Sequence, residues 1–245
     1  MRIEIKIAPR TITRYLLAGV IFFTVVSTGI QICKYVFDYR DDWMKLFNLD
    51  RELNFPTWYS ALMLGFCAIL LKIIAVGKKQ QSDRYTKDWQ LLSVIFWWLA
   101  IDEVASIHEI LIIPDVSEAL NLPWFLHSMW VIPGVVFVIW FARRYSNFVR
   151  HLPADSRRDF VVAACIYIGG ALILEMLGSH FAESIGQQHI VYAAIATVEE
   201  LLEMIGIVLF IRALLYYLKR WAKRLNLHLD ISEPPSHKKP ERFKG

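Results

Sequence analysis

Six apolar runs, at about 15–33, 57–77, 89–113, 124–142, 160–180 and 189–218, approach or exceed the length a bilayer demands. A hydrocarbon core of about 30 Å takes roughly 20 helical residues to cross. Uninterrupted runs of that length are the signature of transmembrane helices. The chain is therefore expected to be all-α: a polytopic membrane protein folded as a compact six-transmembrane-helix bundle over 1–218. A basic, polar tail over 219–245, with Pro234-Pro235 and Lys238-Lys239, is expected to lie on the membrane surface and then lose order. The runs leave no room for a sizeable soluble domain. Hydrophobic residues make up 56% of the 245, above the roughly 45–50% of soluble domains.

Lysine and arginine in the connections set the orientation of such a bundle. The alternate segments 1–14, 78–88, 143–158 and 219–245 together hold 21 of them, and the segments between hold four. That asymmetry places both termini in the cytoplasm. The first run, after Arg2, Lys6, Arg10 and Arg14, extends to about Cys33 without a small-residue cleavage site, too long for a signal-peptide core. It is expected to be an uncleaved first span, with Gly19 and Gly29 as close-packing points. Lys72 and Arg212 should snorkel to the surface. The compact chain, lacking targeting extensions, suggests a bacterial plasma membrane. Basic residues spread over short connections argue against nucleic-acid binding. Cys33, Cys67 and Cys165 fall in three different runs without a CxxC, so neither a disulfide framework nor a cysteine metal site is expected.

The stretch from Trp97 to Glu109 is the costly part of the chain. Asp102, Glu103, His108 and Glu109 lie within a run that should cross the membrane. Each ionisable group at mid-membrane costs roughly 2.5–3.5 kcal/mol on insertion scales. On a helix rising 1.5 Å per residue, Asp102, Ser106 and Glu109 share a stripe, with Glu103 on its flank and His108 pointing away. The fourth run carries His127 one turn below its outer start. The fifth carries Glu175 in its outer third, with Ser179 on the same face and His180 at the mouth. In the sixth, Glu199, Glu200 and Glu203 share one face by their i, i+3 and i, i+4 spacing. In all four runs the acids and histidines fall in the outer half. Packed inward, they make one acidic pocket that opens outward and is closed to the cytoplasm.

Carboxylates crowded in low dielectric cannot all stay ionised, so the pocket must hold protons, a cation or both. Asp, Glu and His form the ligand set of zinc, manganese or non-haem iron, and a carboxylate-rich set leans towards iron or manganese. The expected inner ring is Asp102, Glu103, His127, Glu175, Glu199, Glu200 and Glu203, with a divalent metal (Fe, Mn or Zn) as cofactor. His108, Glu109 and His180 form the outer shell. Glu103 and Glu200 are the candidate catalytic residues, one glutamate acting as general base on a metal-bound water in a hydrolase; in an oxidase, the carboxylates would bridge iron. The substrate would be a lipid or small apolar molecule entering from the outer leaflet. The plain alternatives are protonated, hydrogen-bonded acids acting as interhelical glue, and ordinary interfacial histidines. The first outer loop carries a similar pair of readings: Asn54 or Thr57 caps the next helix beside Pro56, or Asp50, Glu52 and Asn54 form a lid over the mouth.

No motif assigns a family. His108-Glu109 is not HExxH, because Ile112 stands in the last position. Glu199-Glu200-Leu201-Leu202-Glu203-Met204 looks like the EExxxR box of the prenyl-protein (CAAX) intramembrane proteases, with Met204 where arginine belongs. The late HxxxH of alkaline-ceramidase-like hydrolases and the ExxH pairs of di-iron bundles are missing; the nearest spacings are Glu103-x4-His108 and Glu175-x4-His180. A proton- or cation-coupled transporter using the same acids as a relay is the main rival. The lack of internal repeats and the apolar inner halves count against it, although a homodimer could supply a pathway. A b-type haem protein with axial pairs among His108, His127, His180 and His189, and a partner subunit without chemistry, complete the alternatives. The expected surroundings are membrane lipids.

Overall fold

A computed structural model describes residues 8–107 and 130–221. Among these, 85% are helical and none is in a strand. Helix α1 spans Pro9–Val36, α2 Phe55–Gln80, α3 Thr86–Ala105, α4 Val131–His151, α5 Ala154–Ile168, α6 Glu175–Ile185 and α7 Ile190–Trp221. A 3-10 turn, Asp42–Leu46, lies between α1 and α2, and a π-helical turn, Gly169–Leu174, joins α5 to α6. With that turn, α5 and α6 form one rod, Ala154–Ile185. Among the described residues, four helical stretches are long and apolar enough to cross a membrane: Pro9–Val36, Phe55–Gln80, Ala154–Ile185 and Ile190–Arg220. The protein is thus a helical, apolar membrane protein. Helix α3 carries Lys87, Asp88, Asp102 and Glu103, and the described apolar part of α4 stops at Arg143-Arg144. Neither qualifies as a span by composition alone.

Helix α7 is the hub and packs on α1, α2, α5, the π turn and α6, while α2 pairs most extensively with α3. Val208, Ile211 and Leu214 of α7 are buried with Leu64, Cys67, Leu71 and Ile74 of α2. Aromatic rings extend this core. Trp89 meets Phe148 at 4.8 Å and Tyr217 at 5.0 Å, and Phe96 stacks on Phe210 at 4.8 Å. Apolar side chains such as Phe22, Leu62, Trp98 and Val162 face outward, as lipid contact requires. Ser93 donates to the Ala68 carbonyl at 2.8 Å, one polar tie between α3 and α2.

Small residues set the closest approaches. A Cβ on Gly206 would fall 2.7 Å from the Cβ of Tyr167 and 2.8 Å from its backbone nitrogen. A Cβ on Gly170 would fall 2.9 Å from the Glu199 carbonyl oxygen. Together these two glycines let the α5–α6 rod lie on α7 at backbone distance. Gly19 makes room for Tyr59, whose hydroxyl donates to the Leu16 carbonyl at 2.7 Å. Gly29, the other expected packing point, has nothing within 4 Å of an added Cβ. Lys72 and Arg212 are exposed.

Two boundaries differ from those read in the sequence. The third run was expected to stay helical to residue 113, but α3 ends at Ala105, because Ser106 adopts a left-handed conformation with φ 48°. The fourth run was expected to end at Ala142, yet α4 continues through Arg143-Arg144 to His151. Arg144 bonds to buried Asp88, and Tyr145 and Phe148 bury their rings in the core, so tertiary contacts carry the helix past the charges.

Candidate functional site

The site begins with the way the loop between α1 and α2 is pinned. The Asn48 carboxamide oxygen accepts from Gln31 Nε2 at 2.8 Å, and the Leu49 amide donates to Ser27 Oγ at 3.0 Å. Asn54 caps α2 by accepting from the Thr57 amide at 3.1 Å. Its Nδ2 donates to the carbonyls of Asn48 and Arg51, each at 2.7 Å. Asn48 and Asn54 are both buried. These bonds hold the loop against α1 and carry Asp50 and Glu52 inward, where both act on Glu200 of α7. Ser106, at the end of α3, donates to Glu52 at 3.2 Å. The two readings of this loop are therefore divided between its residues: Asn54 is the cap, while Asp50 and Glu52 reach the acids of the bundle.

Those acids come from separate elements and meet at one end of the molecule. Glu200 lies within electrostatic reach of Glu203 of its own helix, Glu103 of α3, Glu52 and Asp50. Glu199 lies within electrostatic reach of Glu175 of α6, and of Glu203 and Glu200. Glu203 packs its Cγ over Gly170, in the π turn. That turn has a geometric consequence. In a regular helix, eight residues from Tyr167 to Glu175 overshoot two turns by roughly 80°. The wider π turn takes up part of the overshoot, so Tyr167 meets Gly206 and Glu175 meets Glu199 on the same helix.

Tyr167 is the member that sequence reasoning missed. It lies within electrostatic reach of Glu203, Glu103, Asp102 and Glu200. Its signal was faint: one tyrosine in an apolar run, two residues before Gly169-Gly170, where small residues permit close helix contact. Of the candidates read from sequence, Asp102, Glu103, Glu175, Glu199, Glu200 and Glu203 lie within electrostatic reach of one another or of Tyr167. His127 of the inner ring, and His108 and Glu109 of the outer shell, lie outside the described residues. Helix α3 ends at Ala105, so Ser106 of the expected stripe is its C-cap. His180 is partly buried on α6, edge-on to Phe181 at 5.6 Å. His189 is engaged at the start of α7, where its Nδ1 accepts from the Val191 amide at 3.2 Å, which counts against a haem-ligand role. Among the described residues, no group of three or more His, Cys, Asp or Glu side chains is arranged to hold a metal ion.

The opposite end of the bundle is basic and ion-paired. Lys78 meets Asp83 at 3.0 Å, Arg220 meets Asp155 at 3.1 Å, and Arg144 bonds to Asp88. Tyr85 donates to the Asn147 carbonyl at 3.3 Å and Tyr145 to the Asp88 carbonyl at 3.2 Å. Acids are matched by bases there, whereas the groups acting most strongly on Glu200 are all acids. No curated protein and no solved structure matches the chain. A family model matches residues 15–218, and the chain belongs to that family, described as Domain of unknown function (DUF8692).

Proposed function

We propose that this membrane protein works through its carboxylate centre, which holds protons and exchanges them for a divalent cation. The observation that carries the reading is the convergence of acids from the 48–54 loop, α3, α6 and α7 around Glu200 and Glu199. Oxygen donors of this kind suit manganese or iron. Coordination would draw the glutamates closer, since the described side chains are not arranged as a metal site. His127 would add a nitrogen ligand and bring zinc into range. The bound metal would then support an enzyme acting on a lipid or small apolar substrate, with Glu103 or Glu200 as the general base.

The same reading gives α3 and α4 the role of two further spans, making six, with both termini in the cytoplasm of a bacterial plasma membrane. The distribution of lysine and arginine supports that orientation. The test is elemental analysis of detergent-purified protein beside a Glu103→Gln, Glu200→Gln variant. Near-stoichiometric manganese, iron or zinc that falls at least tenfold in the variant is expected. No metal in either, after metal-replete growth, overturns the cation reading.

A second reading, a proton-coupled transporter, draws on Glu175 beside Glu199 and on Tyr167 near four acids. Such groups can pass a proton along a chain. Cation-dependent acidification of liposomes containing the protein would favour it over an enzyme.

A further inference from the structure

At the basic end, two hollows meet at one arginine. The first, of about 660 Å³, is lined by Arg84, Tyr85, Arg144, Phe148, Arg150 and His151, with Asp88 as its only acid. Asp88 is already bound by Arg144. The Arg84 guanidinium lies over the Tyr85 ring at 4.5 Å and bonds to its hydroxyl. Its acidic neighbour, Asp83, is taken by Lys78. Arg150 makes no ion pair among the described residues. The hollow thus offers fixed positive charge in excess of its own acid, on a floor of aromatic rings.

The second hollow, of about 640 Å³, is lined by Val136, Ile139, Trp140, Arg143 and Arg144. It lies one to three turns nearer the start of α4, and Arg144 belongs to both. Val136, Ile139 and Trp140 are exposed. An arginine-rich hollow that continues into an apolar groove along a membrane helix has the two-part chemistry of a phospholipid. Phosphate suits the arginines, an acyl chain suits the groove, and basic hollows between membrane helices favour anionic headgroups.

We propose that this end of α4 holds one anionic glycerophospholipid, its phosphate on Arg84, Arg144 and Arg150 and an acyl chain along Val136, Ile139 and Trp140. The site is remote from the carboxylate centre and does not depend on its function. The test is native mass spectrometry of the delipidated full chain with dioleoyl phosphatidylglycerol or dioleoyl phosphatidylcholine, for wild type and an Arg84→Gln, Arg150→Gln variant. Arg144 is kept because it neutralises Asp88. Wild type should prefer phosphatidylglycerol. The variant should lose that preference by on the order of twentyfold, since each arginine near an anionic headgroup is worth about a factor of five. If the double variant does not fold, Arg150→Gln alone carries the test, with about a fivefold loss expected. Equal binding of the two lipids, or undiminished preference in a folded variant, overturns the proposal. Displacement of the lipid by millimolar inorganic phosphate would assign the arginines to a soluble anion and overturn it too.

Discussion

Tyr167 and Gly206 touch at a distance that leaves no room for one more carbon. An alanine at Gly206 must push against the Tyr167 Cβ at 2.7 Å and its backbone nitrogen and Cα at 2.8 and 2.9 Å, so the α5–α6 rod has to move off α7. Gly206→Ala should therefore destabilise the protein by about 1–3 kcal/mol, the usual range for overpacking. Gly29→Ala, with open space around it, should leave thermal unfolding in detergent unchanged or slightly raise it. A melt that reports the same midpoint for both variants would refute this contact. Asn54 is a second sensitive position because one carboxamide caps α2 and donates to two loop carbonyls at 2.7 Å. Asn54→Ala should cost about 1–3 kcal/mol and should loosen the loop that carries Asp50 and Glu52. Hydrogen exchange across residues 45–57 would register that loosening. The role of Asn54 as a cap could be read from the sequence, because Asn-x-Pro-Thr before an apolar run is a helix start. Its service to the loop depends on where those two carbonyls end up, and no local pattern encodes that.

Among elements, the turn from α2 into α3 is where pH should be felt outside the membrane. Partial burial of Asp83 works against its charge. The Tyr85 amide, the Lys78 ammonium and the nearby His151 outweigh that and hold the carboxyl below its ordinary value. A carboxyl held low in the folded state stabilises the fold above its unfolded value of about 3.9 and loses that contribution as pH falls through its folded value. Stability should thus decline below about pH 4, and Asp83→Asn should show a shallower decline there. Identical acid profiles for the two proteins would contradict the pairing. The apolar runs made most helices legible, since length and hydropathy alone locate them. Helix ends were less legible, and the reasons are particular. Helix α3 stops early because Ser106 turns left-handed and bonds to Glu52, 54 residues away in sequence. Helix α4 runs long because Asp88 neutralises Arg144. Both outcomes rest on partners distant in the chain, as does the π turn, whose value appears only when Tyr167 and Glu175 are seen on one neighbour.

Over the whole molecule, charge is segregated. Acids from four segments gather around Glu200 at one end, while the other end pairs its acids with lysine and arginine. Helical spacing alone grouped Glu199 with Glu200 and Glu203 and predicted that the acids of α3 and α6 would face them. It did not bring in Asp50 and Glu52 as members of the cluster, because their approach depends on the buried asparagines that fold the loop. Nor did it find Tyr167, whose hydroxyl is a single polar group in an apolar run. The arrangement implies that protons on the carboxyl groups are the counterpart of any cation that binds. The most direct measurement is the number of protons released when manganese(II) is added to detergent-solubilised protein in weak buffer near neutral pH, read with an indicator dye. The account predicts release in proportion to manganese bound, with the signal lost in the Glu103→Gln, Glu200→Gln variant and reduced in Glu199→Gln. Manganese binding without proton release, or equal release from the double variant, would contradict it.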